Sequence, residues 1–405
     1  MMLLCFEKEV YMVYELKKLL GIKGVRWIIF LSFAVAILLP LYFIFDYETV
    51  QMIDNKAEVY KGYVGLNARK EYFSKIGGFV TEENIKDEIT RYRTANIPDI
   101  TLDESEYYRI INEAYSSYKD NSLDIKRVNN IPFYSRWKEK IYEKIDFKYK
   151  AYDDDEIQQV RVALDNFAVP FYLEFYEHWV IFFKSSFVFC CILLLGVVFC
   201  SSQLFPYEKV THMDLVLGTL NPKILRKMAW DKMLAVSVCF IVLFVICNLI
   251  IISLTILPFY NEGWNMQIQL LPGFFTAIYA WTIKDMFFWY MIVSIGSILS
   301  MSFITFFIGN IVKEMYLTIL LSLLVVSANF SIAYLPDAFK IVKRYMEISP
   351  VNGINLFGII TSMHNFRVLG KTFLSGEIII AVILLTILFS FLLNLILFPR
   401  RLKNN

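Results

Sequence analysis

The run Met233-Leu-Ala-Val-Ser-Val-Cys-Phe-Ile-Val-Leu-Phe-Val-Ile-Cys-Asn-Leu-Ile-Ile-Ile-Ser-Leu-Thr-Ile256 holds no charged residue. Wound as an α-helix at about 1.5 Å per residue it is about 36 Å long, enough to cross a hydrocarbon layer about 30 Å thick. Five further stretches read the same way: Trp27–Phe45, Trp179–Cys200, Met286–Val312, Met315–Tyr334 and Ile378–Phe398. A single such stretch could be a buried core helix; six at this length describe a membrane protein. Composition agrees. The 405 residues are 57% hydrophobic and 19% charged, against about 45–50% and about 25% in soluble domains. Mean hydropathy is +0.51. A formal charge of +2 disfavours a nucleic-acid binder.

Working outward, charge divides the chain. Residues 46–178 carry 19 Lys and Arg against 26 Asp and Glu, a net −7, so the remainder carries +9. The short segments flanking the spans hold fourteen Lys and Arg on one side, among them Lys17, Lys18, Lys23, Arg26, Lys223, Arg226, Lys227, Arg400 and Arg401. The other side holds six, including Lys340, Lys343, Arg344, Arg367 and Lys371. The positive-inside rule then predicts both termini in the cytoplasm. The first stretch is read as an uncleaved span, because its apolar core exceeds that of a secretory signal.

The predicted fold is therefore an all-α polytopic membrane protein with six transmembrane helices and a mainly helical extracellular domain between helices 1 and 2. Its parts are a cytoplasmic N-terminus at 1–26, helix 1 at 27–45, the extracellular domain at 46–178, and helices 2–6 at 179–405, with a cytoplasmic loop at 201–232. Residues 4–20 predict an amphipathic helix, with Val10, Val13, Tyr14, Leu16 and Leu20 apolar.

Within 46–178 four helical stripes are predicted. They begin after Thr81 (Ile85, Ile89, Tyr92), at the capping-box pattern Thr101-Leu-Asp-Glu104 (Tyr107, Ile110, Ile111, Ala114, Tyr118), at Trp137 (Ile141, Ile145) and at Ile157 (Val160, Leu164, Phe167). A short hairpin is expected within 57–73. Fifteen of the 25 Tyr lie here, serving either as a docking surface or as core residues with wet hydroxyls. Asp153-Asp-Asp-Glu156 reads as a charged helix N-terminus or a cation site. No Cys falls in 46–178, so packing alone must hold it together. Two short apolar runs, Leu270–Trp281 and Ile354–Met363, predict interfacial or re-entrant segments.

Enzyme chemistry finds little support. The nearest P-loop match, Gly370-Lys371-Thr372, has Asn365 where the first Gly belongs. His178, His212 and His364 are scattered, and no H-E-x-x-H, C-x-x-C or G-x-S-x-G occurs. Mid-membrane polar residues are Asn248, Asn310, Asn329 and Asn394, whose ordinary role is to join helices.

The most informative connection runs from Phe205 to Lys232. A short helix is expected after Pro206, broken at Gly218-Thr219, and Asn221-Pro222 opens a basic helix leading into the third span. The segment resembles the cytoplasmic loop of type 2 ABC transporter permeases, in which a Glu, an apolar helical turn, a Thr-Pro or Ser-Pro step, an Arg and a Lys follow in order. Glu208, Lys209, Leu217, Thr219, Pro222, Arg226 and Lys232 match that order. Two departures are present: no small residue follows Glu208 closely, and Leu220 and Asn221 separate Thr219 from Pro222. The layout of nearly the whole chain is similar to that family as well.

The resemblance implies a permease subunit of an exporter whose cargo is a peptide, antibiotic or lipid-like molecule. It implies a coupling helix docked on a separate ABC ATPase subunit, present in two copies, which binds ATP and Mg; this chain would hold no cofactor or metal. It further implies a second permease chain, as homodimer or heterodimer, in a bacterial cell membrane. The alternatives are a signalling or mechanotransmission subunit sensing an extracellular peptide, a polytopic membrane enzyme and a secondary transporter.

Overall fold

The computed structural model describes residues 2–53, 56–94, 105–116, 131–148, 154–204, 213–260, 262–331, 339–368 and 370–403. In chain order, α1 (Met2–Gly21) precedes the long apolar α2 (Lys23–Phe45). Then come β1 (Glu48–Ile53), β2 (Lys56–Lys61), α3 (Gly62–Ile76), β3 (Gly78–Val80), α4 (Glu82–Thr94), α5 (Glu106–Tyr115), α6 (Phe133–Lys148), α7 (Asp154–Asp165) and β4 (Phe171–Leu173). The chain returns through α8 (Glu177–Leu204), α9 (Met213–Leu217) and α10 (Pro222–Thr255). It closes with α11 (Ile283–Val312), α12 (Met315–Phe330), α13 (Lys340–Glu347), α14 (Leu356–Thr361), β5 (Asn365–Val368), β6 (Lys371–Leu374) and α15 (Ser375–Lys403).

Five helices are long and apolar enough to cross a membrane: α2, α8, α10, α11 and α15. The fifth predicted stretch forms α12, which has 16 residues. At about 1.5 Å per residue the described part reaches about 24 Å; positions 332–334 of the predicted stretch lie outside the described residues. The break before it is built by Lys313, which ends α11 in the left-handed region at φ 64°. At its other end α11 starts with a reciprocal cap: the Asp285 amide donates to Thr282 Oγ1 and the Thr282 amide to Asp285 Oδ2.

Inside the bundle, polar residues join helices. Ser186 of α8 donates to Asn248 of α10 at 2.6 Å, and Asn310 of α11 donates to Asn394 of α15 at 2.8 Å. Asn394 in turn donates to the Phe303 carbonyl. Asn329 instead bonds within its own helix, to the Val325 carbonyl. A 3-10 helix, Pro350–Ile354, packs on α11 so closely that a Cβ at Gly353 would overlap Ser297 Oγ.

Among residues 46–178, three predicted stripes form as α4, α6 and α7, with Ile85, Ile89, Trp137, Ile141, Ile145, Val160 and Leu164 buried. The fourth forms as α5, burying Tyr107, Ile110, Ile111 and Ala114. Its predicted capping box, Thr101–Glu104, lies outside the described residues; Ser105 is the cap, accepting from the Tyr108 amide. Asp154 opens α7, Asp153 lies outside the described residues, and none of these acidic side chains is described. The predicted hairpin is displaced: β1 and β2 pair at 48–61, with Glu48 opposite Lys61. Gly62, at φ +61°, turns the chain into α3, which buries Leu66, Arg69 and Phe73. Two further antiparallel pairs, β3–β4 and β5–β6, form. The Tyr134 hydroxyl bridges the first of these, donating to the Val80 carbonyl and accepting from the Phe171 amide.

This insertion does not close on itself. Its core is continuous with that of the helix bundle. Leu270–Trp281 is no re-entrant helix: beyond the 3-10 turn Ile268–Leu270 it is irregular chain, buried at Leu271, Phe275, Ala277, Ile278 and Tyr279. The insertion seats on it. The Trp137 indole donates to the Phe275 carbonyl at 2.7 Å, Lys144 reaches Thr276 Oγ1 and the Thr361 carbonyl, and Gln159 reaches the Thr372 carbonyl. That segment is apolar because protein covers it.

Candidate coupling site

Glu208 and Lys209 lie outside the described residues. The remaining five matched positions stand at one junction, between α9 and the start of α10. The one-turn helix α9 ends where the Thr219 hydroxyl and amide both return to the Val216 carbonyl. Asn221 Oδ1 then accepts from the Lys223 amide, and Pro222 sits in the first turn, where its missing amide costs nothing. From there α10 runs unbroken for 34 residues, so its basic first turns and the third span are one rod.

The five residues divide by exposure. Thr219 and Arg226 are exposed, beside Met213 and Val216, which are also exposed. Leu217 is buried and Pro222 half-buried. Lys232 is fully buried, with its Nζ 3.3 Å from Glu15 Oε2 of α1. Lys232 therefore cannot offer its charge to a partner's surface; it fixes α10 to α1. Glu15 escaped the sequence reading. Its only sequence signal is an acid on the face of α1 that also carries Leu19, which is buried. The predicted apolar face divides instead: Val13, Tyr14 and Leu20 are exposed, Leu16 is half-buried, and the Val10 side chain lies outside the described residues. At the same end, Arg401 of α15 donates to the Gly309 carbonyl of α11.

At the opposite end, a buried charge network ties the insertion to α8. Arg69 Nε donates to Glu177 Oε1 at 2.7 Å, and Arg69 also faces Glu106 Oε2 at 3.5 Å. Glu106 is 1% exposed. It accepts from Arg109 Nε at 2.9 Å and from the Tyr176 hydroxyl at 3.1 and 3.2 Å. Arg109 continues to Glu113 Oε1 at 2.8 Å and to the Leu270 carbonyl. Desolvation opposes the Arg109 charge, but Glu106, Tyr176 and Glu113 outweigh it and hold its pKa well above the ordinary value. Burial raises the Glu113 pKa, although Arg109 pulls the other way. No sequence motif announces this network, because its members come from α3, α5 and the start of α8.

The other candidates have structural settings. His178 is enclosed by the rings of Phe175, Trp179 and Phe259; His212 lies outside the described residues. The Gly370-Lys371-Thr372 triplet belongs to the β5–β6 hairpin, with Gly370 at φ +79°. Among the described residues, no group of three or more His, Cys, Asp or Glu could hold a metal ion. Compared with family descriptions, curated proteins and solved structures, the chain matches none.

Proposed function

We propose that the chain is the permease subunit of an ATP-binding cassette exporter, moving a peptide, antibiotic or lipid-like substrate across a bacterial cell membrane. Two permease chains pair above two ATPase subunits, which hold ATP and Mg. With α12 counted, six helices span, both termini are cytoplasmic and residues 46–178 are extracellular. The observation that carries this proposal is the junction at 213–232. A short helix with exposed apolar residues sits beside an uninterrupted rod whose upper part is a candidate span. The buried Glu15–Lys232 pair prevents that rod from sliding independently of α1. A push delivered at α9 and Arg226 therefore passes to α10 and α1 together, and ATP-driven closure of the partners could tilt both.

Affinity purification from the native membrane tests this. An ATP-binding subunit is expected with the chain, and replacing 213–219 by a Gly-Ser linker should abolish ATP-dependent transport while leaving the chain in the membrane. A chain that purifies without such a subunit and works without 213–219 contradicts the proposal. A mechanotransmission subunit is the second reading, favoured by the Arg69–Glu177 tie between insertion and span. It predicts ATP-dependent signalling with no substrate accumulation in inverted vesicles.

A further inference from the structure

Where α2 leaves the bundle and α8 enters it, a pocket of about 370 Å³ opens beneath the insertion. This is within the size range of small-molecule sites, roughly 300–1,000 Å³. Phe43, Val180, Ile181 and Pro272 supply apolar wall; Asp46, Glu48 and Glu177 supply three carboxylates against one ammonium, Lys184. The carboxylates differ. Glu48 pairs with Lys61 across the β1–β2 hairpin. Asp46 is exposed at the mouth and has no ion pair among the described residues. Glu177 is deeper, its side chain 15% exposed. Arg69 satisfies only its Oε1 and is itself shared with Glu106, while Glu177 Oε2 is buried without a hydrogen-bond partner. A buried carboxylate oxygen left without a donor is costly and usually marks a missing partner. A donor group, N–H, O–H or cationic, would satisfy it; the surplus of carboxylates over ammonium around the pocket favours a cation, and the adjoining wall is apolar.

We infer that this pocket binds an amphipathic organic cation, an ammonium or guanidinium at Glu177 and Asp46 with its apolar body along Phe43 and Ile181. The inference names a substrate class for the proposed exporter and rests on that proposal for its biological role, but binding is measured on this chain without the ATPase. The probe is radiolabelled dodecylammonium, titrated onto the full chain in uncharged maltoside micelles, with dodecanol as the neutral control.

Wild type should bind dodecylammonium saturably and dodecanol at least tenfold more weakly. Glu177→Gln keeps an acceptor for Arg69 and should weaken dodecylammonium binding about tenfold or more, the scale of a lost charge-assisted bond. Asp46→Asn, at an exposed position, should weaken it about two- to fivefold, and Lys184→Gln should tighten it by a similar factor. Displacement of the probe by phosphatidylethanolamine would identify the source as a lipid headgroup; failure to displace would identify a diffusible amphiphile. Equal binding of dodecylammonium and dodecanol, or identical affinities in wild type and all three variants, overturns the inference. Absence of an ATPase partner would remove the exporter role while leaving these affinities unchanged.

Discussion

Removing Glu15 should loosen the junction that carries the proposed coupling. Two unit charges 3.3 Å apart attract by about 5 kcal/mol at an effective dielectric of about 20. Desolvation of both groups offsets much of that, so the pair's net worth is small, whereas breaking it by removing one partner costs about 3–5 kcal/mol. Lys232 is fully buried and has interactions beyond Glu15, which places Glu15→Leu at the low end, about 3 kcal/mol. Lys232→Met leaves Glu15, whose side chain is 10% exposed and can meet water; about 2 kcal/mol is expected. The double variant leaves neither charge of this pair without the other and should fall within about 1 kcal/mol of wild type. In a chain this large a kilocalorie moves the midpoint about 2 °C. Each single variant should therefore melt about 4–6 °C lower and the double variant near wild type. Scanning fluorimetry in maltoside micelles at one fixed scan rate reads this, since unfolding of such proteins is often irreversible. Single shifts under 1 °C that add in the double variant would refute the reasoning, because a coupled pair cannot be additive.

Three further outcomes are expected. Glu113 has a folded-state pKa raised above 4.5, so the native state binds more protons than the unfolded state above that pH, and stability is lost as pH rises through this window; the stability of Glu113→Gln minus that of wild type should therefore increase between about pH 4 and pH 7 in denaturation series. Gly353→Ala drives a methyl into Ser297 Oγ and Val293 and should cost about 1–3 kcal/mol, with partial recovery in Gly353→Ala/Ser297→Ala; both are measured by melting midpoint. Trp137→Phe leaves the Phe275 carbonyl without its indole donor, should cost about 1–3 kcal/mol, and should speed amide exchange over 270–282.

Five of the six apolar stretches were legible as helices long enough to cross a membrane, because long charge-poor runs need no tertiary information to be seen. The same held for α4, α6 and α7, whose apolar residues recur at helical spacing. The helix α3 was not legible: its stripe passes through Arg69, a charge at a core position, tolerated because Glu106 and Glu177 arrive from distant parts of the chain. Glu15 and Lys232 are 217 residues apart in sequence, and each alone resembles an ordinary surface charge of a basic connector. Leu270–Trp281 had the hydropathy of a membrane segment, and nothing local indicates that an insertion a hundred residues earlier covers it. At the candidate junction the order of residue types was legible, but not its division into exposed Thr219 and Arg226 and buried Leu217 and Lys232, because exposure depends on which helices pack there, α1 against α10 and α15 against α9.

A photo-crosslinking amino acid placed at Val216, at Thr219, or at Val59 on the insertion compares the two ends of the molecule; Val216, Thr219 and Val59 are all exposed. With irradiation in native membranes, positions 216 and 219 should yield an adduct with an ATP-binding subunit, and position 59 should yield none. Equal labelling from all three positions, or no ATP-binding subunit at 216 and 219, would contradict a coupling junction at α9.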